Sequence, residues 1–536
     1  MRESRDVVVV GAGMAGLCAL HHLRAAGLSA VALERGDGLG GTWFWNRYPG
    51  ARCDVPSLEY SFGFDDDLQQ EWEWTEVFPS QPELLAYLEH VADRFDLRRD
   101  IRLGVTVTSA VFDETAAQWT VTTDAGDEWV APFVVMATGC LSMPLDPDFE
   151  GLDTFTGTVV RTSAWPAEGV DVRGRRVGVI GTGSSGIQAV PELARDAAEL
   201  VVFQRTACYT WPSRNGPLDP EVQRRTKENY AELRRAQRLV PGGTTAQTGA
   251  IILQTAEDRR IAESTPAERA EVLERLGWGA SRAWTDTVGD REANELACDL
   301  YREMVRRTVD DPDLADRLSP RGIPIGCKRP VIDNGWFDTF NRDNVSLVSL
   351  WLDPIERVEP TGVRTSQSFV PLDVIVLAIG FDAMTGALDR IDIRGRAGRL
   401  LRAEWTEGPR TYLGLQMEGF PNLFTITGPG SPSVLSNMIV GIEHHVEWIV
   451  RCIVDLRAEG CSTIEPTLAA QDAWVDHVRT VAQGTMFVDP SCHSWYLGVN
   501  VPGKPRVFLP YVGGFDRYVR ETDAIVEAGY EGFVRA

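Results

Sequence analysis

Near its N-terminus the chain carries an apolar run, Val7-Val8-Val9-Val10. The run is too short for a helix and is built of β-branched residues, the signature of a strand buried on both faces. Gly11, Gly13 and Gly16 follow at once, then a helix-forming segment and a second apolar run that ends at Glu34. The first glycine permits the tight turn, the second lets backbone approach a pyrophosphate, and the third lets helix pack on strand. The helix N-terminus offers free N–H groups to the anion. Glu34 stands eighteen residues beyond Gly16, where a carboxylate can accept hydrogen bonds from a ribose diol. Strand, glycines, helix, strand and acid in this register predict a dinucleotide site. The loop that follows, residues 40–54, includes Gly41, Thr42, Trp43 and Asp54 and is rich in glycine, aromatics and charge. Loops of that composition lie over ligands more often than they fill cores.

The pattern recurs. Residues 176–180 read as a strand, Gly181, Gly183, Ser184 and Gly186 form the turn, and residues 187–195 read as the helix. The next strand ends in Gln204-Arg205-Thr206 instead of an acid. A carboxylate would repel a 2′-phosphate, whereas Arg205 can pair with one bidentately. The first site is therefore expected to hold the ribose of FAD, and the second to prefer NADP to NAD.

Between and after these units the chain alternates. A helix is expected over residues 81–95, with Ser80 as cap and Pro82 in its first turn. Short strands within residues 101–130 suggest a small antiparallel addition. A buried strand from Phe133 ends in Ala137-Thr138-Gly139, and Ala378-Ile379-Gly380 echoes that turn. Pro144 and Pro147 mark a linker, and Thr265-Pro266-Ala267-Glu268 is a capping box inside a Glu/Arg-rich helical stretch. A long amphipathic helix is expected near residues 436–458. Its adjacent His444 and His445 do not share a face, so no metal site is expected. The predicted fold is α/β, with two Rossmann-like dinucleotide-binding domains and a helical insertion. Residues 1–140 and 386–536 are assigned to the FAD domain and 141–206 and 332–385 to the NADP domain, with 207–331 as the insertion.

Composition narrows the partners. A formal net charge of -24 argues against nucleic acid and against an anionic membrane. No apolar run reaches membrane-spanning length, and the first strand leaves no room for a signal peptide. Nine scattered cysteines, an odd count without CxxC, suit a reducing cytoplasm and not a disulfide framework.

Between the two units, Phe155, Gly157, Arg161, Trp165 and Pro166 resemble the Baeyer–Villiger monooxygenase fingerprint F-x-G-x-x-x-H-x-x-x-W-P, with Arg161 in place of the histidine. The segment from Gly40 to Asp54, Phe203-Gln204-Arg205-Thr206, Lys328-Arg329 and Trp495-Tyr496-Leu497-Gly498 extend the likeness over essentially the whole chain. It is nearest the phenylacetone and steroid monooxygenase branch. The resemblance implies that NADPH reduces FAD and that a C4a-peroxyflavin formed with O2 converts ketones to esters or lactones. It implies Arg329 as the active-site arginine, held and tuned by Asp54. Arg205, Thr206 and Lys328 would grip the 2′-phosphate, and Trp495 would lie on the nicotinamide side. Ser433, Val434, Leu435 and Met438 would shape the substrate cavity. A guanidinium suits such a site because it stabilises anionic oxygen without giving up its proton, whereas a dry pocket depresses a lysine's pKa. Arg161 adds a permanent charge where the family has a titratable ring, so two outcomes are expected as alternatives: oxygen transfer with altered coupling, or leakage of hydrogen peroxide. Ile379 replaces the usual threonine of A-T-G-F-D. An N- or S-oxygenating flavin monooxygenase, and a weakly coupled NADPH oxidase or binding flavoprotein, stand as alternatives. The expected assembly is a monomer or small homo-oligomer.

Overall fold

A computed structural model describes residues 2–245, 260–276 and 283–536. Two five-stranded parallel sheets dominate it. The first runs in the order Leu423–Thr425, Phe133–Met136, Val7–Val10, Ala30–Leu33, Ile101–Arg102. Val7–Val10 and Phe133–Met136 are buried at every residue, because one face of the sheet packs on helices such as Met14–Ala25 and the other on an antiparallel meander that includes Phe112, Trp119 and Val121. The second runs Val345–Ser349, Glu199–Gln204, Arg176–Ile180, Val374–Leu377, Thr158–Arg161. Each glycine-bearing turn thus leaves the central strand of its sheet. The strand beside it runs directly into Ala137 in one unit and Ala378 in the other, which gives the echoed turns a common place.

The antiparallel addition forms as expected, with Val107–Asp113, Gln118–Thr123 and Glu128–Ala131 in a meander. Asp392–Arg394 joins it in parallel, and the Trp119 indole donates to the Pro421 carbonyl at 2.8 Å. A second small meander, Ile355–Glu359 with Gly362–Thr365 and Phe369–Pro371, escaped the sequence reading because its burial pattern is irregular.

The predicted helix over 81–95 spans Gln81–Arg94, but the Ser80 side chain makes no capping hydrogen bond. The capping box is real: Glu268 N–H donates to Thr265 Oγ1 at 3.2 Å, and Thr265 N–H to Glu268 Oε2 at 2.7 Å. The described part of the helical stretch includes Pro220–Glu228, Tyr230–Arg238, Pro266–Leu276 and Arg291–Thr308, and the paired strands Thr210–Pro212 and Val331–Asp333 bracket it. Residues 246–259 and 277–282 of the predicted insertion lie outside the described residues. The long helix runs Met438–Glu459, starting where the Asn437 side chain accepts from Ile439 N–H. It is less amphipathic than expected. It packs against both Met14–Ala25 and Phe515–Glu527, so Glu443, His444 and His445 are buried.

One expectation is corrected. Cys327 and Cys492 form a disulfide across 165 residues of sequence, their Cα atoms 5.2 Å apart. No local spacing signals such a pair; only the fold brings the two segments together. Among the described residues, no helix is long and apolar enough to cross a membrane.

Candidate active site

At the first turn, Gly11 has φ +108°, and a Cβ there would sit 2.5 Å from the Ala137 carbonyl oxygen. A Cβ on Gly16 would meet the Gly11 oxygen at 2.0 Å, so helix and turn touch backbone to backbone. Gly41, at φ +55°, brings the following loop down on Gly13, where a Cβ would lie 2.9 Å from the Gly13 Cα. Gly13 caps the helix Met14–Ala25 without any side-chain hydrogen bond, which leaves first-turn N–H groups for an anion. Glu34 is buried at 6% exposure and accepts from Ala12 N–H and Gly36 N–H, each at 2.8 Å. One bond per carboxylate oxygen leaves lone pairs for a diol. Thr42 is exposed at the start of the short helix Thr42–Trp45, and the Trp43 carbonyl accepts from the Gln81 amide.

The second turn repeats this geometry. Gly181 has φ +110°, and a Cβ there would lie 2.4 Å from the Ala378 oxygen. One on Gly186 would lie 2.2 Å from the Gly181 oxygen. A Cβ on Gly183 would meet nothing within 4 Å, and the helix Ser184–Asp196 that it caps also lacks a side-chain cap. Ser184 is exposed. Arg205 follows the strand Glu199–Gln204 and is exposed, and the Thr206 carbonyl accepts from Thr182 Oγ1 at 2.9 Å. Burial pushes the nearby Cys208 thiol up, and the charge of Lys328 opposes it. These features suit the groups expected. Uncapped helix N-termini and glycines without room for a Cβ fit two diphosphates. A buried acid fits the FAD ribose, and the exposed Arg205 at a strand end fits a 2′-phosphate.

The loop after the first turn ties the two units together. Tyr48 donates to Gln188 Oε1 at 2.8 Å, and the Gln188 amide donates to the Arg52 carbonyl at 3.1 Å. Gly50, at φ +80°, approaches the Gln188 backbone so closely that a Cβ would sit 2.3 Å from its oxygen. Two residues beyond Arg52, Asp54 takes a bidentate pair from Arg329: Nε to Oδ2 at 2.6 Å and Nη2 to Oδ1 at 2.8 Å. Arg329 Nη1 donates to the Val434 carbonyl. The two charged side chains are 28% and 26% exposed. Burial alone would lower the Arg329 pKa, but the charge and hydrogen bonds of Asp54 outweigh it and hold the guanidinium above its ordinary value.

Val434 is buried within the turn Ser433–Leu435, where Ser433 has φ +43°. Leu435, Met438 and Trp495 are partly buried against one apolar cluster that also holds Val434, Tyr496, Cys140 and the Cys327–Cys492 pair. Trp495 packs its ring 4.4 Å from that of Tyr496. The structure thus joins Asp54, Arg329, the 433–438 segment and Trp495 in one place. Lys504 binds Asp382 at 2.6 Å and Asp389 at 3.0 Å, and Asn500 donates to the Phe381 carbonyl at 2.8 Å. These contacts fasten the C-terminal loop to the turn after Gly380.

The fingerprint lies elsewhere. Thr158–Arg161 is the edge strand of the second sheet, and a Cβ on Gly157 would lie 2.4 Å from the Asp373 oxygen. Phe155 and Trp165 are buried in two different apolar clusters, and Pro166 is half-buried. Arg161 is 36% exposed, with Asp146 of the linker at 3.4 Å. Gln188 went unnoticed in the sequence, and His445 was considered there only as a metal ligand. His445 Nδ1 accepts from Thr427 N–H at 3.0 Å, and its Nε2 meets the Tyr518 hydroxyl at 2.8 Å, an anchor for the loop that leads to Ser433. Neither residue belongs to a local motif, so nothing short of the fold reveals them.

Residues 8–250 match the family described as pyridine nucleotide-disulphide oxidoreductase. The solved structure of an oxidized steroid monooxygenase bound to NADP superposes with a TM-score of 0.93 at 49% identity, covering 99% of each chain. An acetone monooxygenase (methyl acetate-forming) of Gordonia sp. (strain TY-5) is 41% identical over 531 residues, 98% of either sequence. A phenazine N-monooxygenase of Lysobacter antibioticus is 37% identical over 536 residues, 99% of this chain and 96% of its own. With two nucleotide turns, an arginine–aspartate pair between them and full-length likeness to such enzymes, the chain belongs to the FAD- and NADPH-dependent Baeyer–Villiger monooxygenases.

Proposed function

We propose that this enzyme oxidises a neutral, largely apolar ketone to its ester or lactone, with Arg329 as the catalytic residue and Asp54 as its positioning partner. The observation that carries this reading is the three-way bonding of Arg329, to both oxygens of Asp54 and to the carbonyl of Val434. FAD reduced by NADPH supplies the oxygen-transferring chemistry when bound. The chain's own part is to place a permanent cation where negative charge develops on oxygen and to line the rest with Val434, Leu435, Met438 and Trp495. Three of the guanidinium's five donors are accounted for by these bonds, so N–H groups remain to hold an oxyanion. Attack on a nitrogen or sulfur lone pair develops no such oxyanion, and this favours carbon as the centre oxidised.

Supporting roles follow the same geometry. Arg205, Thr206 and Lys328 bind the 2′-phosphate, the Gly13 and Gly183 helix ends bind the diphosphates, and Trp495 lies on the nicotinamide side. We divide the chain into an FAD domain (1–140 and 386–536), an NADP domain (141–206 and 332–385) and a helical insertion (207–331). Seven cysteines without a disulfide support a cytoplasmic location, and we place the protein there as a monomer or small homo-oligomer. The test is to follow NADPH oxidation, O2 uptake and ester formation with a panel of ketones. Wild-type enzyme should give ester in proportion to NADPH. Arg329→Ala should still be reduced by NADPH but give at least about a hundredfold less ester. Ester formation at the wild-type rate would refute the assignment.

A further inference from the structure

We propose that Cys327 and Cys492 are a site of oxidative modification: a thiol pair, closed to a disulfide by hydrogen peroxide, that clamps the two segments bearing Arg329 and Trp495. Both cysteines are fully buried, and their Cα atoms are 5.2 Å apart, within the range a disulfide spans. Cys327 lies two residues before Arg329, and Cys492 three before Trp495. Each sulfur belongs to the apolar cluster that also contains Val434 and against which Met438 and Trp495 pack. The Cys492 side is fixed independently, since Arg506 donates to the carbonyls of Cys492 and Asp489 at 2.6 and 2.8 Å. The crosslink is therefore the covalent link between an anchored loop and the segment that carries the active-site cation.

The source of oxidant rests on the monooxygenase reading. A flavin monooxygenase that takes up O2 without ketone releases hydrogen peroxide, and here it would do so beside the pair. In the closing step the two thiols lose two electrons and two protons, a sulfur–sulfur bond forms, the peroxide O–O bond breaks and two waters leave. The burial that shields the pair from bulky thiol reductants still admits a molecule as small as peroxide, so the clamp, once closed, reopens slowly.

The test starts from holoenzyme reduced by long anaerobic incubation with a phosphine. Alkylation under denaturing conditions should label nine thiols in that material. It should label seven after dilute hydrogen peroxide, or after NADPH and O2 without ketone, with Cys327 and Cys492 recovered in one linked peptide. Nine thiols after added peroxide would overturn the site. Seven after added peroxide but nine after NADPH and O2 would uphold the site and overturn its supply by the enzyme's own turnover. The clamped enzyme should show a ketone KM lower by about threefold or more than the reduced enzyme, as pre-organisation of a pocket predicts. Cys492→Ala should keep the higher KM with or without peroxide and should still be reduced by NADPH. An identical KM in the clamped, reduced and variant enzymes would overturn the clamping role.

Discussion

Arg329 carries the chemistry because its charge cannot be titrated away. Burial works against the cation, yet the paired Asp54 holds its pKa above the ordinary guanidinium value, so the side chain stays protonated at every pH the fold survives. A fall in ester formation at high pH must therefore come from another group. Arg205 makes the complementary case on the binding side. It is exposed at the strand end beside Thr206, where a 2′-phosphate would meet it. Arg205→Ala should raise the KM for NADPH by roughly tenfold to a hundredfold, the worth of a charged hydrogen-bonded pair. The KM for NADH should hardly change. Steady-state kinetics with the two cofactors checks this, and an equal loss for both would mean that Arg205 supports the loop instead of the phosphate.

The two glycine-turn elements show which glycines answer to the fold and which to the ligand. A Cβ on Gly186 would collide with the Gly181 oxygen at 2.2 Å, whereas one on Gly183 meets nothing within 4 Å. Gly186→Ala should therefore destabilise the protein by more than about 2 kcal/mol, read as a lowered melting temperature. Gly183→Ala should melt like wild type but crowd the phosphate, raising the NADPH KM by about tenfold or more. Had both variants melted early, the open space at Gly183 would be structural. The helix Met438–Glu459 carries a pH dependence of its own. Burial pushes the Glu443 carboxyl up from 4.5 to about 7, against the opposing pull of Arg234 and of the Gly63 N–H. The folded state then binds the proton more tightly than the unfolded chain. Its contribution is whole below pH 4.5 and is lost as pH rises through about 7. Glu443→Gln removes that loss. Thermal unfolding should find it more stable than wild type at pH 8, by up to about 3 kcal/mol, with little difference at pH 5. A gain of equal size at both pH values would point to packing instead.

At the scale of the whole molecule, the sequence made both nucleotide turns legible because each is encoded locally: an apolar run, three glycines and a helix within thirty-odd residues. Asp54 and Arg329 were legible only through likeness to a family, since 275 residues separate them. Gln188, the anchoring role of His445 and the Cys327–Cys492 pairing were not legible. Their partners are distant in sequence: Tyr48 stands 140 residues from Gln188, Tyr518 stands 73 from His445, and the two cysteines are 165 apart. Arg161 is where sequence and structure must be read jointly. It ends the edge strand of the second sheet, opposite Leu377 and one residue short of the register of the Ala378 turn. Its partner, Asp146, lies in the linker between the two nucleotide units and is 85% exposed, so the pair contributes at most about 1 kcal/mol. A permanent charge at this junction therefore holds the linker only weakly, while it keeps a cation where a neutral ring could pack or donate a single hydrogen bond. Arg161→His should leave flavin reduction unchanged and shift the product ratio from hydrogen peroxide toward ester, because the linker can then settle without a solvated guanidinium at the sheet edge. Parallel assays of peroxide and ester per NADPH consumed decide it, and a ratio unaltered by the substitution would remove Arg161 from any account of coupling.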